Sequence, residues 1–157
     1  MKKNQIKYLL APQTKFYDSM GADWKPFVMF NHFPNIRSIY CNTDKDGLRY
    51  NNFKNEINLS NSIFDQELDK KKDNAVLMGG SFAFGEGTTS DDKTISSNLS
   101  RDSNYNFLNL AGRGFSGYQE IITFMSHADK IANVKKVVIL SGLNDLVLSR
   151  YINKYDE

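Results

Sequence analysis

The chain has 157 residues, of which 20 are Lys or Arg and 18 are Asp or Glu, so its formal net charge is only +2. Hydrophobic residues make up 40% and charged residues 24%, the balance of an ordinary globular domain. A net charge this close to zero gives no general field that would attract nucleic acid or an anionic membrane. One cysteine, Cys41, excludes an internal disulfide and a cysteine-based zinc site. Two histidines leave little room for a histidine cluster, so we expect no metal and no other cofactor.

No stretch approaches the roughly 20 apolar residues that are needed to cross a bilayer. The N-terminus begins with basic residues, but its apolar run covers residues 8–11 alone, against the roughly 7–15 residues of a signal peptide. We therefore expect a cytoplasmic protein without a membrane span. Its oligomeric state is left open.

Residues 1–60 are aromatic and irregular, without a sustained period of 3.6 or 2.0 residues, which predicts loops, short strands and turns. Residues 43–47 carry a strong turn signal, a short strand should follow at 48–50, and residues 61–73 could form a short helix. We expect residues 1–72 to be an irregular extension that packs on a core formed by residues 73–157. Its aromatic residues should be packing residues, namely Trp24, Phe27, Phe30, Phe33 and Tyr40.

From residue 74 onward, short apolar runs alternate with helical patterns. Strands are predicted at 75–79, 106–110 and 137–140, and helices at 91–99, 117–132 and from 146 to about 155. Ser116 should cap the second helix, whose apolar residues lie on one face: Tyr118, Ile121, Ile122, Met125, Ala128 and Ala132. Because buried parallel strands are continuously apolar, the alternation predicts an α/β fold with a parallel sheet and helices on its faces.

Ligands of such sheets bind at the carboxyl ends of the strands, where three loops rich in Gly, Ser and Asn are expected here. The first loop, GGSFAFGEG, lacks the Lys of a phosphate-binding P-loop and misses the G-x-S-x-G elbow because Ala83 stands at its last position. It places Ser81 directly after a buried strand, where the flanking glycines let the backbone turn and expose the hydroxyl. A tight glycine turn with an incidental serine is the alternative.

The second loop, from Gly112 to Gly117, matches G-x-G-x-x-G between a strand and a helix. Arg113 could serve a phosphate, but Ser141 stands where the ribose-binding acid should be. A nucleotide-binding module therefore stays open as a third possibility. In the third loop, Asn144 presents an amide donor that could stabilise an oxyanion, whereas Asp145 is better explained as a cap of the following helix.

Together the three loops resemble a known family, the SGNH or GDSL-like hydrolases. Ser81 in GGSFAFGEG resembles block I, although Gly80 replaces the usual aspartate; NLAGRG, which ends at Gly114, is similar to block II; and GLND, with Asn144, resembles block III. The resemblance covers residues 74–150. Residues 42–49 also resemble a stretch that precedes block I in SGNH proteins encoded with bacterial surface-polysaccharide enzymes, and their Arg49 could point toward the site and bind an anionic sugar.

The resemblance implies a three-layer α/β/α, flavodoxin-like fold and a serine esterase that removes O-acyl or O-acetyl groups from a carbohydrate or another small ester. Ser81 would be the nucleophile. The Ser81 N–H, the Gly114 N–H and the Asn144 amide would form the oxyanion hole, a set of donors that brings no charge.

The family's D-x-x-H motif, which supplies the catalytic histidine, is absent from this sequence. We therefore expect the α/β core to be incomplete at its C-terminus or to lack the usual base. His127 should be a solvated residue within the 117–132 helix, and His32 could reach the site only through an unusual wrap of the N-terminal region. A catalytically inactive SGNH-fold binding protein of surface-polysaccharide metabolism is the alternative function.

Overall fold

A three-stranded parallel sheet organises the protein. The computed structural model describes residues 3–51, 62–66 and 68–152. Across these residues the helices and strands are α1 (Lys3–Leu10), α2 (Gln13–Ser19), β1 (Asp23–Lys25), β2 (Met29–Asn31), β3 (Asp73–Gly79), α3 (Ser81–Phe84), α4 (Ile95–Asp102), β4 (Tyr105–Asn109), α5 (Gly117–Met125), β5 (Val134–Leu140) and α6 (Leu143–Ile152).

The central strand of the sheet is β3, which pairs in parallel with β4 on one side and with β5 on the other. Its residues from Ala75 to Met78 are all buried, as expected of a strand covered on both faces. The predicted mixed α/β fold with a parallel sheet is confirmed. Strand β3 begins two residues and β5 three residues before the predicted positions, because residues that flank the apolar runs, such as Asp73 and Lys136, also pair in the sheet.

The limits of the helices α4 and α5 differ from the predicted ones. Helix α4 begins at Ile95 because Thr94 caps it, its Oγ1 accepting the Ser97 N–H at 3.2 Å, while Asp91–Lys93 form a 3₁₀ turn. Helix α5 begins after Ser116 as predicted but ends at Met125, and Ala128–Lys130 form a separate 3₁₀ turn. The prediction of one helix over 117–132 is therefore wrong.

The N-terminal region contains more regular structure than its sequence indicates. It forms the helices α1 and α2 and an antiparallel hairpin of β1 and β2. The predicted strand at 48–50 is reduced to one bridge between Thr43 and Arg49. The predicted turn at 43–47 is confirmed, with the Gly47 N–H donating to the Asp44 carbonyl oxygen at 3.1 Å and Gly47 at φ +82°. Residues 61 and 67 of the predicted 61–73 helix lie outside the described residues, and Ile63–Asp65 form a 3₁₀ turn.

Two apolar clusters lie on opposite faces of the sheet, because successive residues of a strand point to opposite sides. Ala75 and Leu77 belong to one cluster, which includes Tyr17 and Cys41. Val76 and Met78 belong to the other, with N-terminal contributions from Leu48, Tyr50 and Ile63. The N-terminal region therefore supplies buried side chains to both faces of the sheet.

A large apolar surface is left uncovered along α5, β5 and α6. Helix α5 buries its polar residues Gln119, Glu120 and Thr123, whereas most of its predicted apolar face is exposed. The exposed apolar residues of this surface are Tyr118, Ile121, Met125, Val137, Ile139, Leu140, Leu143, Leu146, Val147, Leu148 and Tyr151. An apolar helix face is expected to pack on the core, but on α5 Tyr118, Ile121 and Met125 are exposed.

The aromatic residues of the N-terminal region are also less buried than expected. Trp24 is 70% exposed and Phe27 is 83% exposed, so the prediction that they are packing residues is wrong. Phe30 is half-buried, with its ring centroid 6.2 Å from that of Phe115. Within the described parts of the chain, no helix is long and apolar enough to cross a bilayer. Those parts also contain no group of three His, Cys, Asp or Glu side chains that could hold a metal ion.

Candidate active site

Ser81 stands at the point where β3 turns sharply into α3. Gly79 makes this turn at φ +146°, and a Cβ added there would lie 2.2 Å from the Leu140 carbonyl oxygen of the neighbouring strand. Ser81 occupies the first position of α3, where a backbone N–H has no acceptor within its own helix. The side chain is half-buried, and its hydroxyl has no hydrogen-bond partner among the described residues. A hydroxyl and an unused N–H are thus presented together at the carboxyl end of the central strand.

Asn144 comes from the first turn of α6, directly after β5. Its Nδ2 donates to the Phe115 carbonyl oxygen at 2.7 Å. A Cβ added at Gly80 would lie 2.8 Å from the same Nδ2. Gly80 therefore lies against the Asn144 amide, and any larger side chain at position 80 would clash with it.

Ser81 and Asn144 line one cavity of about 260 Å³ at the carboxyl ends of the strands. Most of its wall is apolar, with Glu120 as its one charged residue. The lining residues are Gly80, Ser81, Phe82, Ile95, Phe115, Glu120, Leu140, Ser141, Gly142, Leu143 and Asn144. Gly114, at φ +72°, is exposed and stands next to the lining residue Phe115 without lining the cavity itself. Two of the three predicted site residues are thus brought together, and the third lies at the margin.

His32 supports the loop that carries Gly114. Its Nε2 accepts the Arg113 backbone N–H at 3.0 Å, so Nδ1 carries the proton and donates to the Gly47 carbonyl oxygen at 3.2 Å. The imidazole stacks on Phe84, with 3.9 Å between ring centroids. Burial lowers the pKa of His32 to about 3, which keeps the ring neutral. Because both nitrogens are bonded, His32 has none left to accept a proton from Ser81.

His127 lies beyond the C-terminal end of α5 and is half-buried. Its Nδ1 is 2.8 Å from the Thr123 carbonyl oxygen, and its ring centroid is 5.5 Å from that of Phe64. The prediction of a solvated histidine inside a long helix is therefore wrong. His127 is not among the residues that line the cavity.

Glu120 is the residue of the cavity wall that sequence reasoning missed. Its side chain is almost fully buried and accepts the Ser141 hydroxyl at 2.7 Å. Burial raises the pKa of the Glu120 carboxyl, and the bond from Ser141 opposes that rise. The apolar residues of α5 predict the opposite buried face, so the pattern of this helix hides Glu120. Its one local signal is an acidic residue in the first turn after a capping serine.

The remaining polar candidates serve the structure of the loops. Arg113 donates to the carbonyl oxygens of Met20 at 2.8 Å and Tyr17 at 3.0 Å, which occupies the guanidinium that a nucleotide phosphate would need. Asp145 accepts the Gly117 N–H with both carboxylate oxygens, at 3.1 and 3.0 Å. It therefore caps α5 instead of its own helix, which corrects the predicted capping partner.

Arg49 does not point into the cavity. Its side chain is fully buried behind α3, so the idea that it binds an anionic sugar is wrong.

A scan of protein-family models finds no match to this chain, and a search of curated proteins finds no significant match either.

Proposed function

We propose that this chain carries the nucleophile and oxyanion-hole residues of an SGNH-type serine esterase that acts on O-acyl groups, with acylated carbohydrates as the substrate class. The observation that carries the proposal is that Ser81 and Asn144, from loops after two different strands, line the same cavity. The strand order β4-β3-β5 also supports it, because a flavodoxin-like sheet begins with its second, first and third strands in this order.

In the proposed reaction, Ser81 Oγ attacks the carbonyl carbon of the ester, and the π electron pair moves to the carbonyl oxygen. The Ser81 N–H and the Asn144 amide stabilise the oxyanion, and Gly114, next to the cavity wall, is the candidate for the third donor. The alcohol leaves with a proton, and water releases the acid from the acyl-serine. Removal of one such donor costs about 2.7–4 kcal/mol in the transition state. The apolar cavity wall suits the acyl portion of the ester.

The proton of Ser81 needs a base, and neither histidine of the chain is placed to accept it. His32 has both ring nitrogens bonded, and His127 lies outside the cavity wall. A positioned base contributes about 10²–10⁴-fold to such reactions. Residues 1–157 should therefore react at Ser81 with an activated reagent but hydrolyse aryl acetates at a trace rate.

The first prediction concerns covalent modification of the full 157-residue chain by an aryl fluorophosphonate. The oxygen of Ser81 displaces fluoride from phosphorus, and the stable adduct is located by peptide mass spectrometry. We expect one adduct at Ser81. The change Asn144→Ala should slow modification about 10²–10³-fold, the usual effect of a lost oxyanion donor.

Ser141 provides the matched control, because it is a second serine in the same cavity wall. Ser141→Ala should leave labelling in place, whereas Ser81→Ala should abolish it. An adduct at Ser141, whose hydroxyl is bonded to Glu120, would contradict the assignment of the nucleophile. An unlabelled wild-type chain would contradict the esterase proposal itself.

A non-catalytic binding protein with the same fold is the second candidate function. The hydrogen bonds of both histidine imidazoles favour it, since neither histidine then supplies the missing base. Such a protein would bind an acylated oligosaccharide in the cavity without cleaving it. Calorimetry with that ligand, followed by mass analysis of the recovered ligand, separates binding from turnover.

A further inference from the structure

Arg49 is the most completely bonded side chain near the candidate site. It is 0% exposed, and each of its guanidinium nitrogens has an acceptor. The acceptors are Asp91 Oδ1 at 2.8 Å from Nε, the carbonyl oxygens of Gly85 at 2.8 Å and Phe84 at 3.2 Å from Nη1, and Tyr40 O at 2.6 Å and Thr88 Oγ1 at 3.0 Å from Nη2.

Two of these acceptors lie at the C-terminal end of the helix that carries Ser81, where Phe84 is the last residue of α3 and Gly85 is its cap. Helix α3 has four residues, far fewer than a helix needs to be stable alone. The last carbonyls of any helix lack intrahelical donors. In α3, the Arg49 guanidinium bonds the carbonyl oxygens of Phe84 and Gly85, at the end of the helix opposite Ser81. A cation in this position also complements the negative end of the helix dipole.

The same short helix is closed at the Ser81 carbonyl. Ser81 O accepts the Gly85 N–H at 3.0 Å and the Glu86 N–H at 2.9 Å. Arg49 bonds the carbonyl of Gly85, so it holds the residue whose N–H closes the turn on Ser81. The guanidinium itself is held by Asp91, which also accepts the Asn42 side-chain amide at 2.7 Å. A continuous set of bonds therefore runs from the N-terminal region to Ser81.

We infer that Arg49 is a positioning residue for Ser81, which fixes the direction of the serine hydroxyl by holding the C-terminal carbonyls of α3. This inference deepens the proposed function and rests on it for the chemical role of Ser81. Lysine cannot replace arginine here, because an ammonium group lacks the planar fork that reaches two carbonyls and a carboxylate together.

The test is Arg49→Lys in the full 157-residue chain, which keeps a positive charge beside Asp91 and removes the fork. Two quantities are measured at a temperature where circular dichroism shows the variant folded. The first is hydrogen exchange at the Gly85 and Glu86 amides, by NMR. The second is modification of Ser81 by the aryl fluorophosphonate, resolved into a maximal rate and a half-saturation concentration.

We expect exchange at both amides to accelerate and the maximal rate to fall about 10- to 100-fold, as a misplaced reacting group predicts. The half-saturation concentration should not change, because Arg49 does not line the cavity. If Arg49→Lys does not fold, Asp91→Asn takes its place. That change removes the carboxylate that holds Nε but leaves the guanidinium, and it should give smaller effects of the same sign.

Asp44→Asn is the matched control. Asp44 is also a fully buried acidic residue of the N-terminal region, but it accepts the Leu48 and Ile63 N–H groups, and among the described residues its carboxylate has no hydrogen bond to α3. A loss of stability alone would change both variants alike. Equal effects in Arg49→Lys and Asp44→Asn, or wild-type values in Arg49→Lys, would overturn the inference.

The exchange measurement separates this inference from the proposed function. If the wild-type chain is not labelled at Ser81 but Arg49→Lys still accelerates exchange at Gly85 and Glu86, the esterase proposal fails. The positioning of α3 by Arg49 is then supported. If labelling succeeds and the variant leaves both measurements unchanged, the esterase proposal stands and the role of Arg49 is refuted.

Discussion

A buried imidazole that accepts a backbone hydrogen bond has to stay neutral, and His32 is built into the protein in this way. Protonation would bring a second N–H against the Arg113 N–H, which lies 3.0 Å from Nε2. The unfolded chain has no such restriction, and its histidines take up protons near pH 6.5. The folded state therefore binds fewer protons than the unfolded state below that pH.

The unfolding free energy of the protein should consequently decrease as the pH is lowered, because the unfolded state gains a proton on His32 that the folded state does not. The pKa is about 3 in the folded state, so the stabilisation is complete above pH 6.5 and is lost progressively as the pH falls toward 3. Between pH 7 and pH 5 this residue should cost about 2 kcal/mol of unfolding free energy, by the linkage relation. Urea unfolding of wild type and His32→Gln at both pH values measures it.

Glutamine retains an acceptor for Arg113 but does not titrate, so His32→Gln should show a smaller loss of stability between the two pH values. His127→Gln is the control, a second change of histidine to glutamine that leaves His32 intact, and its loss of stability should exceed that of His32→Gln. A wild-type pH dependence in His32→Gln would contradict the neutral, buried role.

At the scale of elements, the junction of β3 and α3 decides where Ser81 lies. Gly79 needs glycine for two reasons, its positive φ and the closeness of the Leu140 carbonyl oxygen. Gly87 also has a positive φ, +83°, but an added Cβ there would have no atom within 4 Å. Substitution of Gly87 therefore tests the cost of a positive φ alone, whereas substitution of Gly79 tests that cost together with a steric clash.

Gly79→Ala should destabilise the protein more than Gly87→Ala. Both changes incur the strain of a positive φ, about 1–3 kcal/mol. The clash with β5 adds about 1–3 kcal/mol more, the usual cost of forcing atoms into a filled space. Chemical denaturation of the two variants gives the difference directly. Equal losses of unfolding free energy in the two variants would show that β5 moves away from the added methyl group at no energetic cost.

The strands, and the placement of Ser81 and Asn144 at one end of the sheet, could be predicted because local patterns encode them. Apolar runs mark the strands, and the carboxyl ends of parallel strands share one edge of the sheet. The helix α2 could not be predicted, because its seven residues depend on distant contacts such as the bond from Arg113 to Tyr17 O. The burial of Glu120 could not be predicted for the same reason: tertiary packing buries the polar face of α5, whereas its sequence pattern predicts that the apolar face is buried.

For the molecule as a whole, the exposed apolar residues of α5, β5 and α6 should promote self-association. In the described sheet, β5 is an edge strand with exposed apolar side chains, which is the usual site of self-association. So many large apolar side chains left exposed on three neighbouring elements of the chain are typical of an interaction surface.

Ile139→Lys should therefore reduce self-association of the 157-residue chain. Ile139 is 62% exposed on β5, so the change should alter the unfolding free energy by less than about 0.5 kcal/mol. Analytical ultracentrifugation over a range of concentrations measures the effect. Phe27→Lys, at a more exposed aromatic residue outside this surface, is the control and should change association less. A monodisperse wild-type monomer would contradict the prediction.

The bonds from Arg113 to the carbonyl oxygens of Met20 and Tyr17 join residues 93 and 96 positions apart. A ribosome releases α2 long before it reaches residue 113, and a seven-residue helix is not stable alone. Closing so long a loop is slow compared with forming local turns. During synthesis, α2 is made early, but its bonds to Arg113 can form only after the chain of β4 has been completed.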